Sequence, residues 1–402
     1  MTPDLENYRT NARLWLAEMA PVYGREARRG LSTAEDLALA RRWKAARHAA
    51  GYAGIDWPIE HGGCGLGPLE KLAFESEALP YDFPDSYFGV SLGMPVPIML
   101  RYLPDGWKQQ RALAALKGEE LWCQLFSEPA AGSDLAGLRT SARKDRETGD
   151  WIVNGQKLWT TWAQYADYGV IIVRTDPTLP KHRGLTYFWL DMKSPGISVR
   201  PIRLAEGHYE VNEVFLDNVR IPDTQRLGEI GGGFRVAMET LMIERYVATD
   251  PSGYGPPLDF FIADAKETFF RGRSAIEDGR VRERLSRTYA MQHGLAAIHR
   301  KALEAISAGL QPGPEGSIHK LVSMRARQRL AEFALDLHGT EAVVYDAQLT
   351  RKESWAKSWL SAPTGRIAGG ADEMLLNTIA ERILGLPQDH RPDKSVPFNQ
   401  SS

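Results

Sequence analysis

Cys64 and Cys123 are the only cysteines in 402 residues, too few for a disulfide scaffold or a thiolate zinc site. Long apolar runs are missing too, so no segment reads as a membrane span. The opening MTPDLENYRTNARLW carries charges where a secretory leader needs an apolar core, which points to a reducing, cytoplasmic setting. Charge of one sign is also lacking. Lys+Arg 49 against Asp+Glu 51 leaves a net −2, so no basic field is available to collect nucleic acid. The phosphate-loop, dinucleotide, zinc-peptidase and nucleophile-elbow motifs are absent, and the nine histidines show no ligand spacing, so no metal site is expected. What is there is ordinary for a folded enzyme: 43% hydrophobic and 25% charged residues, in a chain long enough for two or three packed units.

Three blocks follow one another. Residues 1–120 read as helices, with apolar residues at helical spacing (Leu5, Tyr8, Ala12, Leu16, Met19) and a capping box from Ser32 to Glu35. From 121 to 230 the segments turn short, β-branched and aromatic, which predicts a compact antiparallel barrel or sandwich. Within WIVNGQKLW the Asn154-Gly155 pair predicts a type I′ hairpin. Residues 231–388 return to a helical bundle pattern, and 389–402 form a polar, proline-rich tail expected to be poorly ordered. The fold class is therefore α+β.

Five places stand out chemically. The run Phe126-Ser-Glu-Pro-Ala-Ala-Gly-Ser-Asp-Leu-Ala136 offers Ser127, Ser133 and bare N–H groups to a polar ligand, or is a strand end with a capped turn, the commoner use of such short Gly/Ser runs. Trp159 and Thr161, placed on one face by strand alternation, suit a planar heteroaromatic group, or a plain core tryptophan with strand threonines. Gly231-Gly232-Gly233-Phe234 opens a helix, as a phosphate cradle or as a simple joint. Glu244-Arg245 sits in the apolar VAMETLMIERYVA, where desolvation would make Glu244 a better base near neutral pH; a structural ion pair is the alternative. Finally Arg366-Ile-Ala-Gly-Gly-Ala-Asp-Glu373 brings backbone N–H groups to a ligand carbonyl, or caps the last helix.

Taken in order, CQLFSEPAAGSD, NGQKLWTT with ADYGVIIVRTD, GLTYFWLDMKSPGISVRPI, NEVFLDNVRIP, a glycine turn before ETLMIER, and GGADEMLLNTIAERILGLP resemble the acyl-CoA dehydrogenases over roughly residues 5–387. The resemblance implies an N-terminal helical domain, a middle antiparallel β-barrel and a C-terminal four-helix bundle. It also implies FAD, an acyl-CoA substrate and an electron-transfer flavoprotein as acceptor. By position, Gln124, Phe126 and Ser127 would line the flavin, Ser133 would lie near the flavin or the CoA arm, and Trp159 and Thr161 would cover the ring near N5. The Gly369 N–H would stabilise the enolate oxygen. Many members carry the base just before the glycine of the final loop, as in Tyr-Glu-Gly-Thr, where this chain reads Ala368-Gly369-Gly370-Ala371 and lacks that carboxylate. Others carry it on the first long bundle helix before an arginine, which falls on Glu244-Arg245, with Arg245 beside the substrate. That placement favours a branched or bulky acyl chain, in fatty acid or sterol catabolism.

Departures from the family pattern cluster where a neighbouring subunit would complete the cofactor site. Thr268–Gly272 reads Thr-Phe-Phe-Arg-Gly instead of Arg-x-x-Phe-Gly and Gly279 stands where a glutamine is expected, while Met242, two positions before Glu244, separately replaces an acidic residue that would contact the pantetheine. Asp336-Leu-His-Gly-Thr340 replaces Gln-x-x-Gly-Gly, putting a carboxylate near phosphate. The expectation is a homotetramer of divergent type or a heterotetramer with a related subunit. The alternatives are a non-catalytic half-site subunit and a flavin oxidase or monooxygenase on the same fold.

Overall fold

The computed structural model describes residues 3–247, 258–307, 313–343 and 354–400. The chain divides into two compact units: Met1–Leu204, His208–Glu244 and Asp389–Ser402 form the first, and Ala205–Gly207 with Arg245–Gln388 the second.

The first unit begins with six helices: α1 (Pro3–Tyr23), α2 (Thr33–Ala49), α3 (Pro68–Ala78), α4 (Ser86–Gly93), α5 (Pro95–Tyr102) and α6 (Asp105–Leu116). The capping box at α2 is present: Glu35 N–H donates to Ser32 Oγ at 3.3 Å and Ser32 N–H to Glu35 Oε2 at 2.8 Å. Seven strands follow: β1 (Trp122–Leu125), β2 (Ser141–Lys144), β3 (Trp151–Thr161), β4 (Tyr168–Arg174), β5 (Leu185–Asp191), β6 (Ile197–Ile202) and β7 (Val211–Ile221). They form one sheet in the order β1-β4-β2-β3-β7-β6, with β5 on β4. The expected antiparallel pairing holds for most of it, but β1 runs parallel to β4, Trp122 opposite Tyr168, so the sheet is mixed. Helix and strand residues share one core: Leu37, Ala40 and Phe88 pack with Ile171, Val214 and Val219.

The predicted Asn154-Gly155 hairpin does not form. Both residues lie inside β3, which runs through them and pairs with β7, with a register shift between Val153 and Gly155. A Cβ on Gly155 would sit 2.5 Å from Thr140 Oγ1, so the glycine answers a close strand approach rather than a turn. The turn that reverses the chain lies earlier, where Asp145 N–H donates to Asp150 O at 2.8 Å and joins β2 to β3. The polar tail is also not loose. Phe398 N–H donates to Leu179 O at 3.0 Å, and the Phe398 ring lies 3.4 Å from the Arg174 guanidinium.

Helix α7 (Gly233–Val247) follows the glycine run, whose Gly231 N–H is used internally, donating to Thr186 Oγ1 at 3.1 Å. The second unit contains α8 (Leu258–Glu267), the short hairpin β8 (Phe269–Phe270) and β9 (Arg273–Ser274), α9 (Gly279–Ser307), α10 (Gly316–His338), α11 (Trp355–Ile367) and α12 (Asp372–Thr378). Its core joins Phe261, Leu285, Leu330 and Trp355. Among the described residues, no helix is long and apolar enough to cross a membrane.

Candidate active site

In the first unit the site is a strand surface prepared by buried charge. Lys157, fully buried on β3, donates to Phe126 O at 3.1 Å, Glu128 Oε1 at 2.9 Å and Ile172 O at 2.8 Å, which occupies all three ammonium protons. Glu128 also accepts from the Arg139 and Thr140 N–H groups at 2.6 and 3.0 Å. Burial raises the Glu128 carboxyl, but Lys157 and those donors outweigh it and hold it below its ordinary value. Burial pulls the Lys157 ammonium down to about 8, against the attraction of Glu128. The Phe126–Ala131 turn is thus tied to β3 and β4. Leu158 N–H completes the tie by donating to Ser127 O at 2.8 Å.

Immediately beyond that tie, β3 bulges. Lys157 pairs with Val214 and Thr160 with Asn212, so two residues of β3 oppose one of β7, and Trp159 takes a left-handed φ of 62°. Straight alternation from buried Lys157 would send Trp159 and Thr161 inward. The bulge instead turns Thr160 inward and leaves Trp159 54% exposed and Thr161 half-buried. A non-glycine residue at such a φ carries strain that the surrounding ladder has to hold.

Of the residues singled out from the sequence, Ser127 and Trp159 are brought together through the Ser127–Leu158 bond. Gln124 is the one residue of β1 that is not fully buried, opposite Val170. Phe126 is buried and meets Tyr187 edge-on at 5.7 Å. Ser133 is exposed, next to the Asp134–Lys181 ion pair of 3.1 Å. Glu244 and Arg245 lie on the last turn of α7, and their side chains fall outside the described residues.

In the second unit, Gly369 sits in the turn between α11 and α12, with φ of 63° there and 101° at Gly370. The turn is stapled at both ends: Arg366 Nε and Nη2 donate to Asp372 Oδ2 at 2.9 and 2.7 Å, and Arg325 Nε adds 2.9 Å. Asp372, buried to 3% exposure, is therefore an ion-pair centre beyond the helix-start role expected for it. Its carboxyl, raised by burial, is drawn below its ordinary value by these arginines.

Sequence reasoning passed over Glu128, Lys157 and Lys320. The first two stood inside quoted segments, FSEP and NGQKLW, and two opposite charges within otherwise strand-like runs were the available signal.

Residues 123–219 match the description "Acyl-CoA dehydrogenase, middle domain", and residues 231–384 match "Acyl-CoA dehydrogenase, C-terminal domain". The chain belongs to the acyl-CoA dehydrogenase family. It is 35% identical over 399 residues to acyl-CoA dehydrogenase IpdE1 of Mycobacterium tuberculosis, covering 96% of this chain and 99% of that one. It is 37% identical over 335 residues to acyl-CoA dehydrogenase FadE34 of the same organism, covering 83% of this chain. The matched part is only 44% of FadE34, so this chain spans less than half of that relative's length. Among solved structures it resembles a chain of the ChsE4-ChsE5 complex from Mycobacterium tuberculosis, with TM-score 0.79, 26% identity and coverage of 97% and 99%. An acyl-CoA dehydrogenase is an oxidoreductase, and the mixed sheet flanked by helical regions is this family's fold.

Proposed function

We propose that this chain carries out the FAD-dependent α,β-dehydrogenation of an acyl-CoA thioester to the trans-2-enoyl-CoA. The Cα–H and Cβ–H bonds break, a C=C bond forms, and two electrons leave the substrate as a hydride. When bound, FAD would supply the acceptor for that hydride at N5, with an electron-transfer flavoprotein as the electron acceptor beyond it. Everything else is the work of the chain. Glu244 takes the Cα proton, with Arg245 beside the substrate. The Gly369 N–H donates to the thioester oxygen as negative charge develops there. Gln124, Phe126, Ser127, Trp159 and Thr161 would hold the ring, with Ser133 toward the ring or the CoA arm.

One observation carries the cofactor reading. The bulge at Trp159 presents a flat aromatic face, with the Thr161 hydroxyl two residues on, next to a turn anchored by a buried ion pair. A planar heteroaromatic group with hydrogen-bonding edges fits such a surface. The absence of a carboxylate in Ala368-Gly369-Gly370-Ala371 supports Glu244 as the base, and that placement supports a branched or bulky acyl chain, sterol-derived ones included.

A heteromeric assembly is the favoured arrangement. The Thr268–Gly272 segment is the β8–β9 hairpin, with Phe269 80% exposed and Arg271 stacked over Phe270 at 5.2 Å, and Asp336 is exposed on α10. Arg271 is offset from the family's arginine position and lies over Phe270, and Asp336 brings a carboxylate where a neighbour's pyrophosphate needs a cation. The likeness to a chain of a two-component complex supports the same reading.

The test is the visible spectrum of the chain, expressed alone and with a related subunit, before and after adding isobutyryl-CoA, octanoyl-CoA or a sterol-derived acyl-CoA. Flavin that bleaches on addition supports the dehydrogenation. Colour that requires the second subunit supports the heteromer. A flavin-loaded protein that none of these thioesters reduces would count against the reaction.

A further inference from the structure

Lys320 on α10 reaches the carbonyls of both residues that flank Gly369, Ala368 and Gly370. Its ammonium donates to Ala368 O and, at 2.6 Å, to Gly370 O. The first contact has a consequence beyond anchoring. The Ala368 carbonyl and the Gly369 N–H belong to one planar peptide unit, in which the two bonds are conjugated and point in opposite directions. A cation on the oxygen therefore draws density through the amide and makes the nitrogen's proton a stronger donor. The same geometry aims that N–H away from Lys320. Among the described residues, nothing accepts from it.

The turn is built so that this contact persists. Gly369 and Gly370 adopt consecutive left-handed conformations, which bring the Ala368 and Gly370 oxygens to a single ammonium. The Arg366–Asp372 staple closes the ends of the turn independently of Lys320. Shape and charge are thus supplied by different residues, which makes them separable by substitution.

We propose that Lys320 is a positioning residue that polarises the Ala368–Gly369 peptide and so strengthens the Gly369 N–H toward a thioester oxygen as it becomes an enolate. This rests on the reading of Gly369 given above.

The test measures enolate stabilisation directly, without turnover. The flavin-loaded protein, with its partner subunit if one is required, is titrated with pH while the ultraviolet absorbance of bound acetoacetyl-CoA reports its enolate. Lys320→Gln keeps a hydrogen-bond donor and removes the charge. It is expected to keep the native melting temperature and to weaken enolate stabilisation about tenfold. A folded K320Q protein with the native enolate titration would overturn the proposal. If K320Q does not fold, Lys320→Arg carries the test: retained charge should hold the titration within about threefold of native, and a tenfold loss in folded K320R would overturn the idea. If the native protein itself does not favour the bound enolate, the reading of Gly369 fails first, and the role of Lys320 fails with it.

Discussion

The two places that gather the proposed chemistry are held by different means. The strand surface around Ser127 and Trp159 is fixed from below by a buried lysine–glutamate pair, with every proton of Lys157 and both oxygens of Glu128 engaged. The turn at Gly369 is fixed from its flanks by the half-buried Arg366 of α11 and Arg325 of α10, which meet on Asp372, while Lys320 reaches its backbone carbonyls. Buried pairs are costly to break and resist small adjustments, whereas charge-assisted contacts near the surface shift with a single substitution. A rigid platform suits a planar group that stays bound. A turn whose donor strength is set by one lysine suits an oxygen that changes charge during a reaction.

Lys157→Met breaks the comparison most severely, because it leaves the Glu128 carboxylate buried without its cation. A loss of about 3–5 kcal/mol is expected in chemical denaturation. Faster amide hydrogen exchange should appear at residues 126–131 and 158–160, while the Ala368–Ala371 turn keeps its native exchange. Equal loosening at both places would mean that the two are not held independently.

The acid limb of stability sharpens the same contrast. The folded-state carboxyl of Glu128 lies below its ordinary value of 4.5, so the unfolded chain binds more protons in the window between the two. Its stabilising contribution is complete above about pH 4.5 and is lost as the pH falls through the folded value. Glu128→Gln should therefore flatten the fall of melting temperature on acidification, at the expense of a lower melting temperature near neutrality. An unchanged acid slope would mean that Glu128 does not feel Lys157 as described.

A smaller effect is expected at the tail. Phe398→Ala removes the ring beneath the Arg174 guanidinium, which burial has already drawn down to about 10. A loss of about 0.5–2 kcal/mol and new protease cleavage within residues 389–397 are expected. Resistance to cleavage like that of the native chain would show that the backbone bonds at Leu179 and Pro177 suffice.

The order of helical, strand and helical blocks was legible because each block has its own periodicity and composition. The strand surface was only half legible. Asn154-Gly155 carries a strong local turn signal, but the long pairing of β3 with β7 overrides it, and no window of sequence contains both strands. The bulge at Trp159 has the same origin, since a two-against-one register is a property of the pair. Glu128 and Lys157 lie 29 residues apart and reveal themselves only when the sheet forms. The tail misled by its polar composition, in which one phenylalanine carries the docking. Glycines at 369 and 370 announced a special turn, whereas Lys320, 50 residues before Gly370, gave no local sign of acting on it.

Glu244 is the group proposed to remove the α-proton. The most direct measurement is the rate of flavin bleaching by an acyl-CoA in native protein and in Glu244→Gln at equal flavin content. A fall of about 10²–10⁴-fold, with flavin binding and melting temperature unchanged, is the predicted result. Bleaching at the native rate in the glutamine variant would contradict it and move the base elsewhere in the chain.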